Sequence, residues 1–179
     1  MNENERVQRF LSFMCDRVPE EMVDWLIEEG FFTAPASTKY HGNYEGGLFD
    51  HSMAVAAELV YLTEQLKLGW NDPRSPFIVG MFHDLCKIDI YKRYPSPDPK
   101  VEYAFKYDDQ SLLAGHGEKS VMMLSQWMQL TEEEIMCIRY HMGAYKTDDW
   151  EYYGKSITKY PTVLYTHTAD MIASRIRGI

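Results

Sequence analysis

Residues 77–87 read FIVGMFHDLCK, an apolar run that ends in a histidine, an aspartate and, three residues on, a lysine. Phe77, Ile78, Met81, Phe82 and Leu85 recur at the three- and four-residue steps of one helix face, so the run predicts a buried helix terminating around His83 and Asp84. Adjacent helical residues point about 100° apart. His83 and Asp84 can therefore face one metal only from the helix flank or from a loosened last turn.

Upstream, a longer helix is predicted over about 48–68, with Val55, Leu59, Leu62 and Leu66 on the same stripe as His51. His51 is expected to point inward. Gly69 ends this helix, and Asn71 to Pro76 make the connection to the next. The preceding run APASTKYHGNYEGG, residues 34–47, is rich in turn formers and reads as a loop. Ahead of it, Val7, Phe10, Leu11 and Met14 mark one short helix, and Met22, Val23, Leu26 and Ile27 a second that Gly30 stops.

Downstream, Pro95, Pro97 and Pro99 break the helical pattern, and Val101 to Tyr107 alternates enough for a short hairpin. The stretch 87–110 is expected to be a lid or substrate loop. A helix opens at Gly115-His116-Gly117 and runs to about Met128. Thr131 to Glu134 form a capping box for the next, which ends at Tyr140 to Gly143. A loop is expected over Asp148 to Gly154. A final helix over about 161–177 puts Val163, Thr166, Asp170, Ser174 and Arg177 along one side. The expected fold is all-α, a single compact helical bundle with room for one short β-hairpin in 87–110. Residues 1–33 form an N-terminal scaffold packed on a core of residues 34–179.

Six residues along these elements, His51, His83, Asp84, His116, His141 and Asp170, form the order H…HD…H…H…D. Imidazole nitrogen with carboxylate oxygen suits iron, manganese, zinc, cobalt or nickel better than calcium or magnesium. One or two divalent transition metals are the expected cofactors. His51, His83, Asp84 and Asp170 would hold the first, and His116 and His141 a second if the Asp84 carboxylate bridged the two. Two such ions, about 3.5–4 Å apart, activate a bridging water and clamp the attacked group, which suits phosphate-ester hydrolysis. Taken singly, a histidine in an apolar helix is more often a hydrogen-bonded core or cap residue than a ligand.

The chain has 179 residues and a net charge of −9, with a sequence pI near 5.1. Its length supports one domain with a sizeable core. The acidic balance repels a nucleic-acid backbone, so binding of long nucleic acid is not expected. No signal-like N-terminus or membrane-spanning stretch is read, and Cys15, Cys86 and Cys137 form no CxxC pair, which fits reduced thiols in a cytoplasmic protein.

GGLFDHS around His51, FHDLCK around His83 and Asp84, AGHGEKS at His116, RYHMG at His141 and THTAD at Asp170 resemble the HD-domain superfamily of metal-dependent phosphohydrolases. The resemblance covers about 34–177 and is nearest to the HD domain of bacterial 3′-to-5′ exoribonucleases, whose segments have the form PA…H…GGLLEH, HDxGK, GH and HHG. It implies an HD-domain bundle, the six metal ligands above, and a small phosphorylated substrate such as a nucleotide. Asp84 and Lys87 would be catalytic, with the Lys87 ammonium on the substrate phosphate. Three departures stand out. The length leaves no room for the additional OB-type domain of those enzymes, Cys86 replaces the glycine of HDxGK, and His141 stands where relatives often carry two histidines.

Lys119 and Arg139, each near a proposed ligand, are further candidates for anion contacts, though a solvated face explains them equally well. His167 is read either as an outer partner of the ligands or as a buried structural histidine. His41 is expected at the surface. Tyr40 and Tyr44 either stack on a base or pack the loop. Two other functions stay open. Myo-inositol oxygenase and related phosphonate-cleaving oxygenases are similar in ligand order and hold a mixed-valent diiron pair. A non-catalytic metal- or nucleotide-binding module is the third possibility.

Overall fold

A Cβ atom at Gly80 would stand 2.3 Å from the Cα of Ala56, so the two helices that carry these residues cross in backbone contact. They are α3 (Gly47–Leu66) and α4 (Ser75–Phe82), the most extensively paired elements among the described residues. A computed structural model describes residues 1–99, 103–108, 110, 115–144 and 149–179. In chain order, α1 (Glu3–Met14) and α2 (Glu20–Glu28) precede α3 and α4, followed by α5 (Lys87–Ile90) and the strands β1 (Tyr91–Pro95) and β2 (Tyr103–Tyr107). Then come α6 (His116–Leu124), α7 (Glu132–Arg139), α8 (Asp149–Lys159), α9 (Thr162–Met171) and a π-helical segment over Ile172–Arg177.

The core is aromatic at one end. Phe10, Phe31, Phe32, Phe49 and Phe82 are fully buried, with ring centroids 5.3–6.3 Å apart, mostly edge to face as the ring quadrupole favours. Residues from 1–33 thus share one core with α3 and α4. Polar ties fix α7. Buried Glu134 accepts the Ser75 hydroxyl and completes a capping box with Thr131, while Glu133 accepts the Thr162 hydroxyl and the Asn71 N–H. Gly117 lets α6 touch α7, since a Cβ there would lie 2.5 Å from the Arg139 carbonyl oxygen.

The mostly helical expectation holds, and so does a hairpin: β1 pairs antiparallel with β2, Tyr91 opposite Tyr107 and Pro95 opposite Tyr103. Val101 lies outside the described residues, and Lys87–Ile90 form a short helix rather than loop. Helix α3 stops at Leu66, before Gly69, because Lys67 takes the left-handed conformation (φ 53°) and closes the cap itself. Helix α6 ends at Leu124 rather than near Met128, and regular α9 ends at Met171 rather than Arg177.

The loop expected over 148–154 is the largest difference. Asp148 lies outside the described residues, but Asp149–Lys159 is helix, with Trp150, Tyr153 and Ile157 at helical spacing and Tyr153 buried against Tyr140. Gly154 is the last residue of the expected loop. It faces open space within the helix, where glycine costs about 0.5–1 kcal/mol relative to alanine and is outweighed by packing. No described helix is long and apolar enough to cross a membrane. Cys86 and Cys137 are buried free thiols, while Cys15 is exposed.

Candidate metal centre

After Phe82 the helical ladder tightens: Leu85, Lys87 and Ile88 donate to the carbonyls of Phe82, Asp84 and Leu85, three residues back. The turn is tightened rather than loosened, and it still brings both side chains to one centre. His51, in the first turns of α3, reaches it across the Gly80–Ala56 crossing. His141 arrives from the residue after the α7 cap Tyr140, and Asp170 from the end of α9.

His51 Nε2 lies 3.3 Å from His83 Nε2 and 3.2 Å from Asp170 Oδ1. Asp84 Oδ2 stands 3.6 Å from His51 Nε2 and 3.4 Å from His83 Nε2, while its Oδ1 lies 3.5 Å from His141 Nε2. The other nitrogen of each ring points to a main-chain oxygen: His51 Nδ1 to Ile179 at 2.9 Å, His83 Nδ1 to Gly80 at 2.9 Å and His141 Nδ1 to Ile138 at 2.7 Å. A main-chain oxygen only accepts, so each neutral ring carries its proton on Nδ1 and turns the Nε2 lone pair inward. The His51–His83 approach is then no hydrogen bond. It is two opposed lone pairs beside two carboxylates, an arrangement a cation satisfies.

The spacing fits one. Ligands about 2.0–2.1 Å from a shared ion stand roughly 3.0–3.4 Å apart, close to the separations here. His51, His83 and Asp84 form one group that could hold an ion, and His83, His141 and Asp170 a second, with ligand atoms within 4.8 Å of each other. Asp84 turns one oxygen to His51 and His83 and the other to His141, as a bridging carboxylate does. His116, at the start of α6, groups with Asp84 and Cys86 instead. Burial pushes the Cys86 thiol up to about 12 and keeps it protonated.

Electrostatics follow the same geometry. Burial opposes charge on Asp84, but the Lys87 ammonium, 2.6 Å from Oδ2, and the His83 ring hold its pKa well below the usual carboxylate range. Burial likewise opposes charge on Asp170, yet the adjacent His51 ring, then His83 and His141, bring it to about 2. Burial lowers the pKa of His83. For His141 burial acts in the same sense, but Asp84 outweighs it and raises the value.

A cavity of about 500 Å³ opens onto this centre, lined by Asp84, Lys87, His116, His141 and Asp170 among others. Its rim includes residues not expected there. His41, read as surface, is half-buried with its ring centroid 4.8 Å from that of His51, and burial, then His51 and Lys87, push it down to about 4. The histidine in the PA…H…GG form that the sequence resembles was the available signal. Lys39 and Arg175 also line the cavity, and no sequence pattern marked either. Tyr40 stands exposed at the rim, whereas Tyr44 packs the loop by donating to Asp50 at 3.1 Å. His167 lines the cavity and meets the His141 main-chain oxygen at 2.7 Å through Nδ1. Lys119 and Arg139 do not line the cavity: Lys119 pairs with Asp89 at 2.7 Å and Arg139 with Glu118 at 3.1 Å.

Comparison of the chain with protein families, curated proteins and solved structures finds no match.

Proposed function

We propose that the protein is a metal-dependent phosphohydrolase acting on a nucleotide or another small phosphate ester, with one or two divalent transition ions among iron, manganese, zinc, cobalt and nickel. The observation that carries this reading is the 3.3 Å approach of the His51 and His83 Nε2 atoms, buried beside Asp84 and Asp170. The bound metal would supply Lewis acidity and a water of lowered pKa. His51, His83, Asp84 and Asp170 would hold the first ion, and His141 with His116 a second shared through Asp84.

The cavity supports an anionic, ring-bearing substrate. Lys39, Lys87 and Arg175 bring positive charge to a chain whose net charge is −9, and Tyr40, Tyr91 and Tyr107 offer aromatic faces for a base. Lys87 neutralises charge that builds on the phosphoryl oxygens, and Asp84 keeps that ammonium in place. Asp170 accepts a hydrogen bond from the attacking water and orients it. His167, next to His141, is placed to donate to the leaving oxygen. Such a protein, with its unpaired thiols, suits the reducing cytoplasm.

The test is phosphate release from a nucleotide and phosphate-ester panel by protein loaded separately with each of the five metals. Wild type is expected to turn over at least one substrate and Asp84→Ala none. Two irons per chain with substrate-dependent oxygen uptake would replace hydrolysis by diiron oxygenase chemistry. Stoichiometric metal with no turnover would leave a binding module.

A further inference from the structure

Two of the three central imidazoles are aimed by their own local turn. His83 and His141 each direct Nδ1 to a carbonyl three residues earlier, Gly80 and Ile138, so the backbone that places the ring also orients it. His51 differs. Its Nδ1 donates to the main-chain oxygen of Ile179, 128 residues away along the chain, at 2.9 Å. We propose that residues 172–179 are a clamp that aims His51 at the metal centre, and that Glu58 and Arg177 are the positioning residues that hold it closed. The proposal rests on the metal reading above.

Each link of the clamp is visible. Ile172–Arg177 leave α9 as a π-helical segment, a widened ladder found frequently at functional sites. Ala173 in it is fully buried, and the segment packs on α3, the helix that carries His51. Gly178 then takes φ +71°, which an L side chain rarely adopts, and turns the chain back so that the Ile179 N–H donates to the Ala173 carbonyl at 3.1 Å. That reversal delivers the Ile179 oxygen to His51. The Arg177 guanidinium bonds to Glu58, two helical turns beyond His51 on the same face of α3. The Glu58 side chain is only 6 % exposed, so its carboxylate has strong reason to keep that partner.

A ring freed from Ile179 can place its proton on either nitrogen and rotate, and Nε2–H presents no lone pair to an ion. Outer partners of this kind change metal affinity by about 10–100-fold when lost. The clamp also carries Ser174 and Arg175, which line the cavity, so His51 and the anion-facing rim share one segment.

Nitrogen-15 NMR of the histidine rings in metal-free protein and zinc affinity by chelator competition test this together. Wild type is expected to hold His51 as a single Nδ1–H tautomer. Arg177→Ala is expected to mix tautomers and weaken zinc binding about tenfold, Arg177→Lys to recover most of both, and Glu58→Gln, which retains the shape of the carboxylate, to give a smaller loss of the same kind. A wild-type tautomer and zinc affinity in folded Arg177→Ala and Glu58→Gln would overturn the clamp. A wild type with the fixed tautomer but no zinc uptake would instead overturn the metal reading and leave the clamp standing.

Discussion

His51, His83 and His141 are 0 or 1 % exposed, whereas Tyr40, at the rim of the cavity they adjoin, is 74 % exposed. The buried wall comes from helices in backbone contact, and each residue there is constrained twice, once by packing and once by the centre it faces. The rim comes from the 34–46 loop and the segment after α9, and Lys39 and Arg175 in it are exposed. Damage to the wall should therefore cost fold and chemistry together, and loss of the exposed rim side chains Lys39 and Arg175 should change substrate binding with fold and metal content intact.

Asp84→Ala should break the wall most severely. Metal affinity is expected to fall beyond the roughly 10–100-fold that outer partners account for, and elemental analysis of the purified protein checks it. The same change strands the buried Lys87 ammonium, so unfolding free energy should drop by about 3–5 kcal/mol in denaturant titration. Adding Lys87→Met should recover much of the stability and none of the metal. Recovery of both would show that the centre does not depend on Asp84.

Two glycines sharpen the contrast by moving in opposite directions. Gly80→Ala forces a methyl into the Ala56 backbone and should destabilise by about 1–3 kcal/mol while misaligning His83 with His51, lowering metal content as well as melting temperature. Gly154→Ala meets open space within α8 and should stabilise by about 0.4–1 kcal/mol with metal content unchanged. Equal melting shifts of one sign would contradict the helix crossing on which the wall depends.

That pair of glycines also marks where sequence reasoning succeeds and where it stops. The apolar stripe from Phe77 to Leu85 and the stripe through His51 are local periodicities, so both helices and the inward aim of His51 were legible. The meeting of His51, His83, Asp84, His141 and Asp170 was legible as an ordered ligand set, because a buried imidazole or carboxylate without a partner is costly. The expected loop over 148–154 is helix from Asp149 because the packing of Tyr153 on Tyr140, which a local reading cannot see, outweighs the low helix propensity of Gly154. His41 and Arg175 belong to the site only through tertiary placement of a loop and a π-helical segment, and no periodicity encodes that. The Ile179 oxygen that aims His51 is a backbone atom, so residue type carries no trace of its role.

Acid should act on the wall through His141 rather than His83. Asp84 raises the His141 pKa, so in metal-free protein this ring is the one that keeps a proton as pH rises, while buried His83, with a lowered value, is already neutral. Metal ligation needs the free base. Affinity should therefore climb with pH until His141 has lost its proton and then level, with a slope of about tenfold per pH unit for the one proton displaced. Isothermal titration in buffers of different ionisation enthalpy reads the released proton. Binding that is flat across the histidine range would remove His141 from the ligand set.

Lys39→Ala and Arg175→Ala should have the smallest effects. Both side chains are exposed, so each contributes through a solvent-screened field, about 1 kcal/mol at 4 Å in water, which corresponds to roughly a fivefold rise in KM for a phosphorylated substrate. With kcat set by the buried centre, kcat should stay near wild type, and unfolding free energy should stay within about 0.5 kcal/mol. Salt separates this from a packing effect. Raising ionic strength from about 0.01 to 1 M shortens the screening length from roughly 30 to 3 Å, so wild type should lose its KM advantage over both variants as salt rises. An advantage that survives high salt would mean that these cations touch the substrate directly, and the rim would then belong with the wall as part of a fixed binding surface.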